Sequence, residues 1–360
     1  MVAGRKRKRI ALILLVLIFV LEVIWLYAPH YLTFWMLTKS ESISIIVGEN
    51  LGEIGCANVT FISYGSVAKI IVKWFSELPN VSETGIDLYG NEIVVFSVSR
   101  RVAFLLSVDN EVLTSFAFYQ TPFTTYTIMG KGIDVISSNI TDSFMEAKIR
   151  YFSIFRLFRK NRLKLQEVFV AFGYHSTAGS KKLFHLYPLN IEVSVDENCS
   201  EWERIEELPM QYMPSKNYTE SFKDFKVVRI GSDRLAFSFR LNTVVDELLL
   251  RHSEANCCVS FFAGLEAYKR NSKIYEYSYQ GNFDYFRFYN GSIKKNAVMS
   301  YWNEETKVYR ETELSDDMWA VGSGFETIYV VDGNEIDKAD DLDFAFMIEV
   351  EWSEVTPLHS

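Results

Sequence analysis

The 360-residue sequence predicts a mainly β fold, sandwich- or barrel-like with a few helices, behind a single N-terminal transmembrane helix. Three observations lead there. Short apolar or alternating runs are separated by turn residues, densely so after residue 222. One long apolar run sits near the N-terminus. Apolar types at 49% and charged types at 23% are those of an ordinary globular body and exclude a disordered or collagen-like chain.

Residues 1–9 form a basic tail, with Arg5, Lys6, Arg7, Lys8 and Arg9 in succession. Net charge is −9, so the chain beyond this tail is more acidic still, which argues against nucleic acid as a partner. Ile10–Leu26 is apolar except for Glu22 and spans about 25 Å as a helix, against a hydrocarbon core of about 30 Å. Residues 10–27 are therefore expected to cross the lipid bilayer as an uncleaved signal-anchor. Glu22 lies one turn from its outer end, within reach of the interface. Trp25, Tyr27, Tyr31, Phe34 and Trp35 continue into an aromatic membrane-proximal collar over residues 28–40. Basic residues ahead of the run keep the N-terminus cytoplasmic and put the body outside the cytosol, on a cell-membrane or secretory-pathway membrane.

Two features suit that compartment. Six Asn-x-Ser/Thr sequons stand at Asn58, Asn80, Asn139, Asn198, Asn217 and Asn290, all on the outer side. The four cysteines, Cys56, Cys199, Cys257 and Cys258, lie there too, and disulfides are expected to join Cys56 and Cys199 to the adjacent pair in either assignment. On a strand, Cys257 and Cys258 would point to opposite faces.

Within the body, Ser42–Val47 and Asn58–Tyr64 read as strands. Ser66 caps an expected helix, Val67–Leu78. A meander follows, Glu92–Val98, Val102–Val108 and Glu111–Tyr119, with turns at Ser99-Arg100 and Asp109-Asn110. Asp142 is read as the N-cap of a basic helix over about Ser143–Leu163, carrying Lys148, Arg150, Arg156, Arg159, Lys160, Arg162 and Lys164. Val168–Phe172 and Ile191–Val195 complete a first β-rich domain with two helices, residues 41–196. Residues 197–221, with Pro209 and Pro214, read as a linker or long loop.

The second β-rich domain covers residues 222–352, with a tail at 353–360. Lys226–Ile230 and Arg234–Leu241 flank a Gly231-Ser232 turn. Lys273–Gln280, Phe283–Tyr289, Ile293–Trp302 and Lys307–Thr312 follow, with turns at Gly281-Asn282 and Asn290-Gly291. Phe325–Val331 and Asp343–Trp352 are the last strands.

The sequence contains no GxSxG, HExxH, GxxxxGK[ST] or GxGxxG, and no cofactor or catalytic metal is expected. His175 and His185 would meet only across a hairpin. The acidic run Asp332–Asp343 lacks the EF-hand pattern. Its Asp341-Leu342-Asp343 is similar to the metal-binding DxD of nucleotide-sugar glycosyltransferases, but it stands before the last strand and reads as a solvated turn. Tyr275, Tyr277 and Tyr279 alternate and are expected to share one strand face suited to a carbohydrate or protein partner. The sequence thus points to a membrane-anchored, N-glycosylated extracytoplasmic protein with a binding or assembly role. The alternative is a signal-anchored glycosyltransferase- or hydrolase-like enzyme.

Overall fold

The computed structural model describes residues 41–358 except 109, 111, 152–161, 184, 197, 198, 216, 217, 219, 271, 273 and 323. Residues 10–27, and the expected membrane helix with them, lie outside that range. Among the described residues no helix is long and apolar enough to cross a membrane.

The chain opens with β1 (Glu41–Val47), the single turn α1 (Gly52–Gly55), β2 (Ala57–Tyr64), β3 (Val67–Trp74), β4 (Ser82–Ile86) and β5 (Glu92–Val108). Then come β6 (Val112–Gln120), β7 (Thr125–Met129), β8 (Ile133–Ile140), β9 (Phe144–Tyr151), β10 (Leu163–Ser180), β11 (Pro188–Leu189) and β12 (Met210–Tyr212). Beyond residue 221 lie β13 (Phe222–Ile230), β14 (Arg234–Leu241), α2 (Val245–Leu250), β15 (Asn256–Tyr268), β16 (Tyr275–Arg287), β17 (Ile293–Asn303) and β18 (Val308–Glu313). The described elements end with β19 (Trp319–Val321), β20 (Gly324–Val330), α3 (Gly333–Lys338) and β21 (Asp341–Pro357).

A central eleven-stranded sheet runs β18-β17-β16-β15-β21-β10-β5-β6-β7, with β4 beside β5 and β12 beside β10. Its middle seam is β10 against β21, in register from Glu167↔Pro357 to Gly179↔Ala345. Strands from both sides of residues 197–221 therefore share one sheet. That segment is itself packed: Trp202 is buried and β12 pairs with the end of β10.

Two five-stranded sheets, β1-β2-β3-β9-β8 and β11-β13-β14-β20-β19, cover one face of the central sheet. Strand side chains alternate between faces, and β21 makes the consequence plain. Leu342, Phe344, Phe346, Ile348, Val350 and Trp352 are buried, whereas Asp343, Ala345, Met347, Glu349 and Glu351 point the other way. Phe346 meets Phe225 and Phe239 of one covering sheet. Val102, Phe104 and Leu106 share a core with Val59, Phe61, Ile70 and Val72 of the other. The mainly β, sandwich-like expectation is met.

Several local expectations are corrected. Val67–Leu78 is not a helix: Ala68, Ile70, Val72 and Trp74 are buried in alternation with Lys69, Ile71 and Lys73, and Gly65-Ser66 is a hairpin turn. The basic helix begins instead as β9, where Met145, Ala147, Ile149 and Tyr151 alternate with Glu146, Lys148 and Arg150. Its residues 152–161 lie outside the described range. A period of two won over the weaker 3.6-residue pattern in both places. Ile191–Val195 is irregular rather than a strand. Ser99-Arg100 is the middle of β5, not a turn. Gly281-Asn282 is likewise inside β16: a Cβ on Gly281 would lie 2.2 Å from the Tyr329 hydroxyl, which donates to the Ala263 carbonyl at 2.7 Å. This glycine serves close approach between sheets.

The interior is closed at two places by buried arginines bonded to main-chain carbonyls. Arg100, 1% exposed, donates to Gln120 Oε1 at 2.8 Å, to the Ser76 carbonyl at 2.8 Å and to the Asp142 carbonyl, and stacks over Trp74 at 4.3 Å. Burial pulls its pKa down to about 10, still charged at neutral pH. Arg287 does the same for the chain after α2, reaching the carbonyls of Leu249, His252, Ser253 and Ala255. Arg100→Met should cost about 3–5 kcal/mol, because it strands several buried carbonyls at once. Arg101→Ala, at a half-exposed pair with Glu351, should cost under about 1 kcal/mol. Urea unfolding of the two variants checks the difference.

Candidate functional site

The face of the central sheet that the covering sheets leave free carries the candidate site. On adjacent strands Tyr309, Trp302, Ser278, Glu266 and Asp343 form one register row, from β18 through β17, β16 and β15 to β21. At the β18 end of that row a pocket of about 230 Å³ is lined by Tyr275, Ser278, Gln280, Ser300, Trp302 and Tyr309.

Each lining group is positioned by its neighbours. Trp302 Nε1 donates to Glu304 Oε2 at 2.9 Å, and Glu304 also pairs with Lys307, which together hold its carboxyl below the usual range. The Tyr309 hydroxyl donates to Glu311. Tyr275 stands edge-on to Tyr268, with centroids 6.3 Å apart. Ser278 is 2% exposed overall, and it lines the pocket beside Gln280. The pocket lining thus combines three aromatic rings with neutral hydrogen-bonding groups and no charge.

Tyr275, Tyr277 and Tyr279 do not share a face. The β15–β16 register shifts between Ala267 and Tyr268, so that Tyr268 faces Tyr275 while Tyr277 faces Ala267 and Tyr279 faces Leu265. Tyr275 turns to the pocket. Tyr279 is core, 4% exposed, and its hydroxyl donates to Glu335 Oε2 at 2.5 Å and accepts from the Asp332 amide at 3.0 Å. Tyr301 donates to the other oxygen of Glu335 at 2.6 Å, so two tyrosines clamp α3 to the sheet. Burial, with the carboxylate next, pushes the Tyr301 phenol up to about 12.

Beside the pocket, Glu266 and Asp343 are direct cross-strand neighbours. Asp341 and Asp343 open β21 rather than forming a solvated turn. Asp341 accepts from Lys182 Nζ at 3.4 Å; Asp343 accepts from Ser180 Oγ at 3.3 Å. Burial and then the Glu266 charge push Asp343 up to about 7. Tyr268 donates to Glu266 Oε2 at 2.5 Å.

His175 and His185 are not brought together. His175 sits on β10 between Ser97 and Glu349, and burial lowers its pKa. His185 lies past the end of that strand, exposed against Tyr187. Among the described residues no group of three or more His, Cys, Asp or Glu is arranged to hold a metal ion.

The expected disulfides are not what the structure shows. Cys56, Cys257 and Cys258 are free thiols, and the Cys199 side chain lies outside the described residues. Cys257 points into the core and Cys258 to the open face, where it meets Ser260 Oγ at 3.4 Å. Burial pushes both thiols up to about 12. The sequons at Asn80, Asn139 and Asn290 are exposed and Asn58 is partly exposed; Asn198 and Asn217 are outside the described residues.

A second pocket of about 300 Å³, near α3, is occupied by an internal ion pair, Arg229 with Asp337. Asp233 and Asp332 add further negative charge there, so it offers no anion site. Compared with protein families, curated proteins and solved structures, the chain has no match.

Trp302 could not be singled out beforehand because only pairing shows which strand faces lie side by side. The raised Asp343 pKa gives a signed pH test. The folded state keeps a proton that the unfolded chain releases near pH 4, so stability should fall as pH rises from about 4 to about 7. Asp343→Asn should therefore raise stability by about 1–2 kcal/mol at pH 8 and leave it nearly unchanged at pH 4, as read by thermal unfolding at the two pH values.

Proposed function

We propose that the protein is a single-pass, membrane-tethered, N-glycosylated ectodomain that binds a partner molecule through the open face of its central sheet. The observation carrying this reading is the pocket of aromatic and neutral polar side chains on a sheet face that neither five-stranded sheet of the described residues covers. Its place in the fold adds support. β1 starts beside the start of β10, where Glu41 pairs with Arg162 and the Leu163 amide bonds to the Gly65 carbonyl. Register carries the other end of β10 across to the pocket, through Gly179↔Ala345, Ala345↔Gly264, Gly264↔Gln280 and Gln280↔Ser300. Leu163 and Gly179 are about 50 Å apart along an extended strand. A chain leaving the bilayer ahead of Glu41 would hold the pocket toward the far end of the body. Exposed Asn80, Asn139 and Asn290 suit glycan attachment.

A second reading, a glycoside hydrolase-like enzyme, is favoured by one observation. Glu266 and Asp343 are cross-strand neighbours beside the pocket, and Asp343 is held partly protonated near neutrality. Turnover of aryl glycosides by the wild type, lost in Glu266→Gln with folding intact, would promote it over binding.

For the leading reading, protease added to sealed vesicles of known orientation should digest the body from the non-cytosolic side only, and glycosidase treatment should lower its apparent mass. Digestion from the cytosolic side, or no mass change, would contradict it.

A further inference from the structure

Resting on the binding role above, we propose that the pocket formed by Tyr275, Ser278, Gln280, Ser300, Trp302 and Tyr309 takes a neutral hexopyranose residue, the terminal sugar of a glycan. None of the six side chains is charged; of the charges around the aromatic rings, Glu304 at Trp302 is neutralised by Lys307, whose ammonium lies 6.0 Å from the Trp302 ring centroid, and Glu311 takes the Tyr309 hydroxyl. A phosphate, sulfate or carboxylate ligand would find no cation among the lining side chains to replace its lost hydration.

A purely apolar ligand fits no better. The Ser278 hydroxyl lines the pocket, and covering it with a ligand that offers no hydrogen bond would cost the bond it makes to water. The Gln280 amide beside it offers two donors and an acceptor. Ser300 Oγ makes a long bond of 3.4 Å to the Gln280 carbonyl and keeps free acceptor capacity. A ligand that enters must supply several hydroxyl groups and also an apolar surface for three aromatic rings. A pyranose ring does both: its C–H face lies against an aromatic ring, and its hydroxyls radiate from the ring edge. A volume of about 230 Å³ accommodates one such ring, not a chain lying along the sheet. Both carbohydrate-facing chemistries thus converge on one spot, and Tyr275 is the only member of the Tyr275/Tyr277/Tyr279 series that takes part.

The full-length chain, in a detergent that carries no sugar, should be titrated with methyl glycosides of glucose, galactose and mannose and with glucuronate. Saturation-transfer NMR and calorimetry are the readouts. At least one neutral glycoside should bind with Kd on the order of 0.1–1 mM, and glucuronate should bind at least about tenfold more weakly. Trp302→Ala and Tyr309→Ala should each weaken binding by about tenfold or more, and Ser278→Ala by about threefold or more, with unfolding midpoints near wild type. Tyr187→Ala, exposed and away from the pocket, should change nothing. The proposal is overturned if no neutral glycoside binds up to about 20 mM, if glucuronate binds best, or if the pocket variants bind like wild type. Failure here leaves the membrane-topology result intact. Conversely, a body found on the cytosolic side would remove the tethered-ectodomain reading while sugar binding stood on its own.

Discussion

Everything in this fold depends on the seam between β10 and β21 and on the two-residue period along it. Phe172 faces Trp352 on the covered side, while His175 faces Glu349 on the open side. A slip of one residue would carry Phe344, Phe346, Ile348 and Trp352 into water and drive Asp343, Glu349 and Glu351 into the core. Because strands from both ends of the chain pair outward from this seam, its register also sets which residues of β16, β17 and β18 reach the open face. Placing Trp302 and Tyr309 beside Ser278 is thus a consequence of core packing some four strands away.

The covering sheets are tied down by specific polar bonds as well as by apolar contact. Arg100 gathers carbonyls from α1, from the end of β3 and from the β8–β9 turn, and so locks one sheet against β5. Tyr329 performs the equivalent task for the other through Ala263, and Glu335 holds α3 between two tyrosines. These ties keep the inner side rigid, and a pocket built on long strands is better defined than one built on loops. The open side carries the acidic residues of β21, and there the pocket and the Glu266–Asp343 pair lie next to each other.

Much of the strand pattern was legible in the sequence. Ser42–Val47, Arg234–Leu241 and Phe325–Val331 fall within a residue or two of β1, β14 and β20. Where reading failed, tertiary context was the cause. Gly281 resembles a turn residue but is there to admit Tyr329. Ser99-Arg100 resembles a polar break, yet Arg100 is buried because carbonyls distant in sequence surround it. The tyrosine series was split by a register shift at Tyr268, which no local pattern reveals. Of the expected tyrosine surface only Tyr275 lines the pocket; Ser278, Gln280, Ser300, Trp302 and Tyr309 come from three strands that a linear pattern cannot align.

The central sheet has one buried face and one face open to solvent, and the proposed site depends on the second. Hydroxyl-radical footprinting of the full chain reads both faces of the same strands at residue resolution. Tyr309, Trp302 and Met347 should be oxidised readily, while Phe261, Phe346 and Trp352 stay protected until the chain unfolds. Protection of Trp302 and Tyr309 equal to that of Phe346 and Trp352 in the free protein would mean that the face is covered, and would contradict the account.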